Sequence, residues 1–398
     1  YSYRQDSDFY YMTGFPEPEA VVVLAPGRAS GEYLIFCREK NSEREQWDGK
    51  RAGQAGAVET YGADDAFPID DLDDILPGIM ESCIRIYYTM GMYAEFDSRM
   101  ADWVNTLGSK LSRGVQSQHE FVALDHLLHD MRLFKSRAEL SAMRKSAKVA
   151  VAAHKRAMQV TRPGMYEYEV EAEFSHEFRR NSAWASYNPI VAGGKNACIL
   201  HYVENDQLLN DGDLLLIDAG CELNYYASDV TRTFPVNGRF TAAQRAVYEI
   251  VLEAQRAAIE KTVVGNHWNE PHDAAVQIIT KGLKKLGLLE GSLPKLMKDG
   301  AYQPFYMHRT GHWIGIDVHD VGDYKVGNEW RMLESGMVTT VEPGIYIGDS
   351  RKIPKEFRNI GIRIEDDVAI TSMGPDVLSK GLVSDPDDIE ALMNAASD

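Results

Sequence analysis

The chain has 398 residues, 44% of them hydrophobic and 26% charged, the make-up of an ordinary globular protein that can bury a core and is long enough for two or three domains. A balance of 60 acidic against 42 basic residues leaves a formal charge of -18, which repels phosphate backbones and anionic lipid and argues against nucleic acid or a membrane as partner. Cys37, Cys83, Cys198 and Cys221 are widely spaced with no Cys-x-x-Cys pair, and no apolar run approaches a bilayer span; a soluble protein of a reducing, cytoplasmic compartment is expected.

The chain opens at Tyr1 rather than at a methionine, so an upstream segment, with any targeting signal, is expected to have been lost. The first third alternates β-like runs (Ala20 to Leu24, Tyr33 to Cys37, Ile84 to Thr89) with helical stretches, which reads as a small α/β domain. A boundary is expected between Met131 and Ser136, giving domains 1–131 and 132–398. There Ser136-Arg137-Ala138-Glu139 forms a capping box opening a helix that carries Leu140, Met143, Ala147 and Val151. A weak internal repeat follows. The first set is this long helix, a glycine break at Gly164 and a helix with Val170, Phe174 and Phe178 on one face; the second is Thr241 to Lys261, a break at Gly265 and Glu270 to Leu286. Each set precedes β-like sequence, so two related halves would enclose a central site.

Chemistry concentrates in those β-like segments. Asp213 to Asp218 is an apolar strand ending in Asp218, and a turn at Gly220 leads back through Ser228-Asp229-Val230-Thr231-Arg232-Thr233, so an antiparallel return could bring Asp218 and Asp229 together. Alone, each is an ordinary turn or cap residue. In Ile360 to Glu365 strict alternation puts the isoleucines on one face and Gly361, Arg363 and Glu365 on the other; the plain alternative is an edge strand with a solvated charged face. Met337 to Glu342 is expected as its partner strand, closing at Glu342-Pro343-Gly344. Three histidines, His308, His312 and His319, fall within twelve residues interleaved with Gly311 and Gly315, a pattern suited to backbone folded tightly around a ligand. Together Asp218, Asp229, His312, Glu342 and Glu365 make an oxygen-rich candidate ligand set that suits a pair of divalent cations better than a single zinc.

Other motifs lack what their chemistry needs. His119-Glu120 and His176-Glu177 begin a zincin pattern without its second histidine and read as helix-surface residues. His126, His129 and Asp130 have helical spacing for a metal but sit in a Leu-rich stretch as a partly exposed face. Gly193-Gly194-Lys195 lacks the first glycine and the Ser/Thr of a phosphate loop.

The runs Ile217-Asp218-Ala219-Gly220, Asp229-Val230-Thr231-Arg232-Thr233, Gly311-His312, Val341-Glu342-Pro343-Gly344 and Arg363-Ile364-Glu365-Asp366, with Tyr3-Arg4-Gln5-Asp6-Ser7-Asp8-Phe9 and Thr13-Gly14-Phe15 at the front, resemble the aminopeptidase P family of pita-bread metallopeptidases over nearly the whole chain. Family members usually continue upstream of Tyr1. The resemblance implies an α/β (α+β) fold: a small N-terminal α/β domain of creatinase/RNase H-like type, then a C-terminal pita-bread domain with an internal pseudo-two-fold repeat. It implies two divalent ions, Mn2+ ahead of Co2+ or Zn2+. Asp218 would hold one ion, Asp229 and Glu365 would bridge both, and His312 and Glu342 would complete the other, with a metal-bridging hydroxide as nucleophile. Glu342 would also shuttle protons, His319 would donate to the oxyanion, His201 and His308 would line the cleft, and Arg363 would orient carboxylates. A structural histidine at a strand end is the plain alternative for His201; Tyr346 matches a family tyrosine near the site.

The implied activity is that of an Xaa-Pro aminopeptidase acting on peptides with proline at position two, in a homo-oligomer (dimer or tetramer) in which Trp47 serves a neighbouring subunit's cleft. Two alternatives stay open: a prolidase with organophosphate hydrolysis as a side activity, and a pita-bread module that binds peptides without catalysis.

Overall fold

A computed structural model of the chain describes residues 3–81, 83–110 and 120–395; His119 lies outside them. Contacts divide the chain into two units, Tyr1–His129 and Asp130–Asp398. In the first, the β-branched and aromatic runs become the antiparallel strands Val21–Leu24 and Tyr33–Cys37, and Asp65–Pro68 joins the second of these in parallel. Arg85–Tyr88 and Glu120–Ala123 form a separate parallel pair. Helices Leu72–Met80 and Ala94–Lys110 cover the larger sheet through Phe36, Leu72, Leu76, Met100 and Trp103, so both periodicities, two for the strands and 3.6 for the helices, end in one core.

The second unit is built from two similar sets. Helix Arg137–Val160 starts at the Ser136/Glu139 capping box, and helix Ala242–Lys261 starts at an equivalent box of Thr241 and Gln244. Each helix is followed by a glycine in the left-handed region, Gly164 and Gly265, both at φ 91°, and then by a second helix, Glu167–Arg180 or Glu270–Lys285. Val170, Phe174 and Phe178 of the one and Ala275, Val276, Ile279 and Leu283 of the other enter a shared core with the strands. Among the described residues no helix is long and apolar enough to cross a membrane.

Each set then runs into a long antiparallel hairpin broken at mid-length. In the first, Leu214–Asp218 pairs with Thr231–Pro235, and beyond the break Cys221–Leu223 pairs with Tyr226–Ala227. In the second, Val338–Val341 pairs with Asp366–Thr371, and Gly344–Ile347 with Ile360–Arg363. The expected pairing of Met337–Glu342 with Ile360–Glu365 is therefore corrected. Pro343 has no N–H to give to the ladder, so the hairpin is interrupted there and resumes beyond it in the same register. The plain alternative for Ile360–Glu365, an edge with a solvated charged face, also fails: Arg363 is 4% and Glu365 2% exposed.

Asp218 and Asp229 flank the first break, Glu342 and Glu365 the second. A β-bridge between Thr231 and Glu365 joins the two breaks.

Candidate metal centre

The first break brings Asp218 and Asp229 together because the chain crosses itself tightly there. A Cβ on Gly220 would lie 1.7 Å from the Ser228 carbonyl oxygen, so only glycine permits the crossing. The Tyr187 hydroxyl sits between the two aspartates, 2.5 Å from Asp218 Oδ1 and 2.6 Å from Asp229 Oδ1. At the second break the Glu342 N–H donates to the Thr310 carbonyl, and the Thr340 hydroxyl lies 3.3 Å from Glu342 Oε1. Glu365 Oε2 accepts a 2.6 Å bond from the Thr231 hydroxyl.

The segment carrying His312 lies against the strand that ends at Glu342. Gly311 makes this approach possible, since a Cβ there would be 2.1 Å from the Thr340 carbonyl oxygen. His312 Nδ1 donates to the Trp313 carbonyl, which leaves Nε2 facing the carboxylates, 3.4 Å from Asp229 Oδ2 and 3.7 Å from Glu342 Oε1. One ligand atom each from Asp229, His312 and Glu365 lies within 4.8 Å of the other two.

All five candidates line one cleft of about 490 Å³, with His201, His308, His319, Arg363 and Tyr187 also in its wall. Arg363 Nη2 bonds Asp218 Oδ2 at 2.5 Å and Nη1 bonds the Tyr346 hydroxyl at 2.9 Å, so it holds an aspartate and a tyrosine together. His308 Nδ1 donates to the Arg309 carbonyl, so its Nε2 accepts from the Tyr346 hydroxyl. His319 packs edge-on against His312, ring centroids 4.3 Å apart.

Four carboxylates in one buried wall repel one another. Burial first, then the neighbouring acids, raises Glu365 well above the carboxylate range and Glu342 to about 7, although His312 and Arg363 pull Glu342 down. Burial likewise raises Asp218 against the pull of Arg363. Asp229 is lowered, because His312, Tyr187 and Arg363 together outweigh its burial. Burial works against the His312 cation, but Asp229 and Glu342 override it and raise the ring to about 9. Such a set of hard oxygen donors, short of positive charge in its own wall, fits divalent cations.

Tyr187 and Thr340 lie outside the motif runs, and Thr231 lies inside one with no role read for its hydroxyl. The threonines read as strand formers, and only the approach of a buried hydroxyl to a carboxylate reveals them. Of the other motifs, His176 is exposed on helix Glu167–Arg180, His126 is exposed, and His129 pairs with Asp8 at 3.4 Å. The Gly193 N–H is spent on Glu167 Oε1.

Residues 141–372 match the model of metallopeptidase family M24, and residues 1–87 match that of the aminopeptidase P N-terminal domain. The chain belongs to metallopeptidase family M24. Within that family it is 44% identical to Xaa-Pro aminopeptidases of Haemophilus influenzae, over 99% of this chain and 89% of that protein, and of Escherichia coli, over 100% and 90%. Among solved structures, Pseudomonas aeruginosa aminopeptidase PepP superposes with a TM-score of 0.98 at 59% identity, over 100% of this chain and 90% of that one. An E. coli aminopeptidase P variant in complex with substrate gives 0.96 at 43%, over the same shares. The mixed α/β fold, with an N-terminal domain of aminopeptidase P type before an M24 domain, is thus the family's.

Proposed function

We propose that the cleft holds two divalent cations, manganese the best match, on Asp218, Asp229, His312, Glu342 and Glu365, and that the chain is an Xaa-Pro aminopeptidase releasing the N-terminal residue from peptides whose second residue is proline. The observation that carries this is the convergence of the four carboxylates and one imidazole in a single cleft of a chain 44% identical over its whole length to Xaa-Pro aminopeptidases. One nitrogen among so many oxygens favours manganese over zinc. When bound, the ions supply Lewis acidity and an activated water.

The residues around them divide the remaining work. Glu342, whose Oε1 lies beside the Thr340 hydroxyl and His312 Nε2 in the cleft wall, is placed to take and return a proton. Proline's ring nitrogen has no hydrogen in the peptide and leaves only once protonated, which is the second half of that task. His319, edge-on against His312 in the wall of the cleft, donates an N–H to the oxygen that gains charge. Arg363 orients Asp218, and His308, turned by the Arg309 carbonyl and Tyr346, lines the cleft with His201. The four cysteines are free thiols, in keeping with a cytoplasmic site of action. Trp47, 87% exposed, is available to a second subunit of a homo-oligomer, which light scattering tests.

Metal analysis of the purified protein is expected to find close to two ions per chain. Kinetics on a proline-second dipeptide and tripeptide are expected to favour the tripeptide. A strong preference for the dipeptide would replace this reading with a prolidase; no metal and no activity on added manganese would replace it with a binding module.

A further inference from the structure

The loop that carries His312 and His319 is held by two cations, Arg132 and Lys135, on two of its own carboxylates, Asp317 and Asp320. Arg132 Nη2 bonds Asp317 Oδ2 at 2.7 Å and Asp320 Oδ1 at 2.6 Å, and Lys135 Nζ bonds Asp320 Oδ2 at 2.9 Å. The side chains of Arg132, Lys135 and Asp320 are 3%, 1% and 1% exposed, while that of Asp317 is 35% exposed. Two cations thus meet two carboxylates, three of the four side chains buried.

The backbone of the loop is closed over this cluster. The Asp320 N–H donates to the Trp313 carbonyl and the Gly315 N–H to that of Asp317, and Trp313 itself is fully buried. Gly315 is required by the fit: a Cβ there would be 2.2 Å from Asp320 Oδ2 and 2.8 Å from Lys135 Cε. His319 lies between the two aspartates that Arg132 grips, and its ring meets His312 edge-on. The cluster thus fixes the chain on both sides of His319, at Asp317 and at Asp320.

A buried ion cluster contributes little net stability compared with apolar residues of the same volume. Fixing geometry is what four such charges do well, since each bond constrains both direction and distance. We propose that Arg132, Lys135, Asp317 and Asp320 are positioning residues that hold the His319 ring at the reacting carbonyl. This rests on the reading of His319 as donor to the developing oxyanion.

The test is a double-mutant cycle in the full chain loaded with manganese, using Asp320→Asn, His319→Ala and both together. Asp320→Asn is expected to lower kcat about tenfold, as a misplaced catalytic group does, with KM changed less than twofold and metal stoichiometry kept. In the His319→Ala background the same substitution is expected to be nearly silent. An unchanged kcat for Asp320→Asn, or an equal loss with and without His319, would overturn the positioning role alone. Full activity of His319→Ala would overturn the reading of His319 and the positioning role with it. If Asp320→Asn does not fold, Asp317→Asn at the more exposed corner carries the same cycle, with a smaller loss of kcat that must again vanish in the His319→Ala background.

Discussion

At the residue scale, two groups absent from any motif set the properties of the centre. Tyr187 gives a single hydroxyl to two aspartates that come from either side of a chain crossing, so it fixes the spacing of Asp218 and Asp229. Replacing it with phenylalanine keeps the ring and removes both bonds. The expected outcome is a 10- to 100-fold weaker hold on manganese, roughly the range for groups that orient ligands, read by titration calorimetry; affinity equal to that of the parent protein would refute the role. The second group is His154, fully buried against Phe174 and donating from Nε2 to the Ala219 carbonyl, directly behind the crossing. Burial lowers its pKa from 6.5 to about 4. Because the unfolded chain binds this proton more readily than the folded one, stability is complete above pH 6.5 and falls by about 3 kcal/mol as the pH drops through 4. Denaturant titrations of the parent and of His154→Gln, compared from pH 7 to pH 4, isolate this part. A difference that does not change with pH would exclude it.

At the element scale, the unit of function is the broken hairpin, used twice. Gly220 makes the first crossing, and Gly220→Ala is expected to cost about 3 kcal/mol, the upper end for overpacking, and to abolish metal binding by separating the aspartates. An unchanged melting temperature would show that the crossing tolerates a side chain. Much of this was legible in the chain. The capping box at Ser136, both glycine breaks and the carboxylates at strand ends are local patterns, and local patterns report local conformation; the second box, at Thr241, is of the same kind and was shown by the structure. Pairing is not local. Pro343 announces a break, but which half of Ile360–Thr371 each side of it joins depends on register across the sheet, and the answer split the expected strand in two. The solvated-face alternative for Arg363 and Glu365 survived in the sequence for a related reason: alternation marks two faces, and only the second broken hairpin's contact with Thr231 shows that both are covered. The clamp of Arg132 and Lys135 on Asp320 spans 188 and 185 residues, beyond the reach of any spacing argument.

At the scale of the whole molecule, the centre links activity to stability. The two halves of the second unit meet at a wall that carries four carboxylates, in a chain whose formal charge is already -18. Folding without cations must bring those charges together against burial and mutual repulsion; cations that bind only the folded chain offset this cost, by about 2.7 kcal/mol at one hundred times the dissociation constant. Manganese is therefore expected to raise the melting temperature in a concentration-dependent way, and a chelator to reverse it. Glu365→Gln separates the two effects. It keeps the size of the side chain and an oxygen to accept the Thr231 hydroxyl, while removing an acid that the empty site already holds protonated and that is proposed to hold both ions. Its metal-free form should melt at or above the temperature of the metal-free parent, and the rise on adding manganese should be lost together with activity. A variant that melts lower without metal, or that still gains stability from manganese, would show that Glu365 serves the fold rather than the ions. The expected pattern is that of a site kept at the expense of stability, in which the carboxylates weaken the empty fold and the cations they hold restore it.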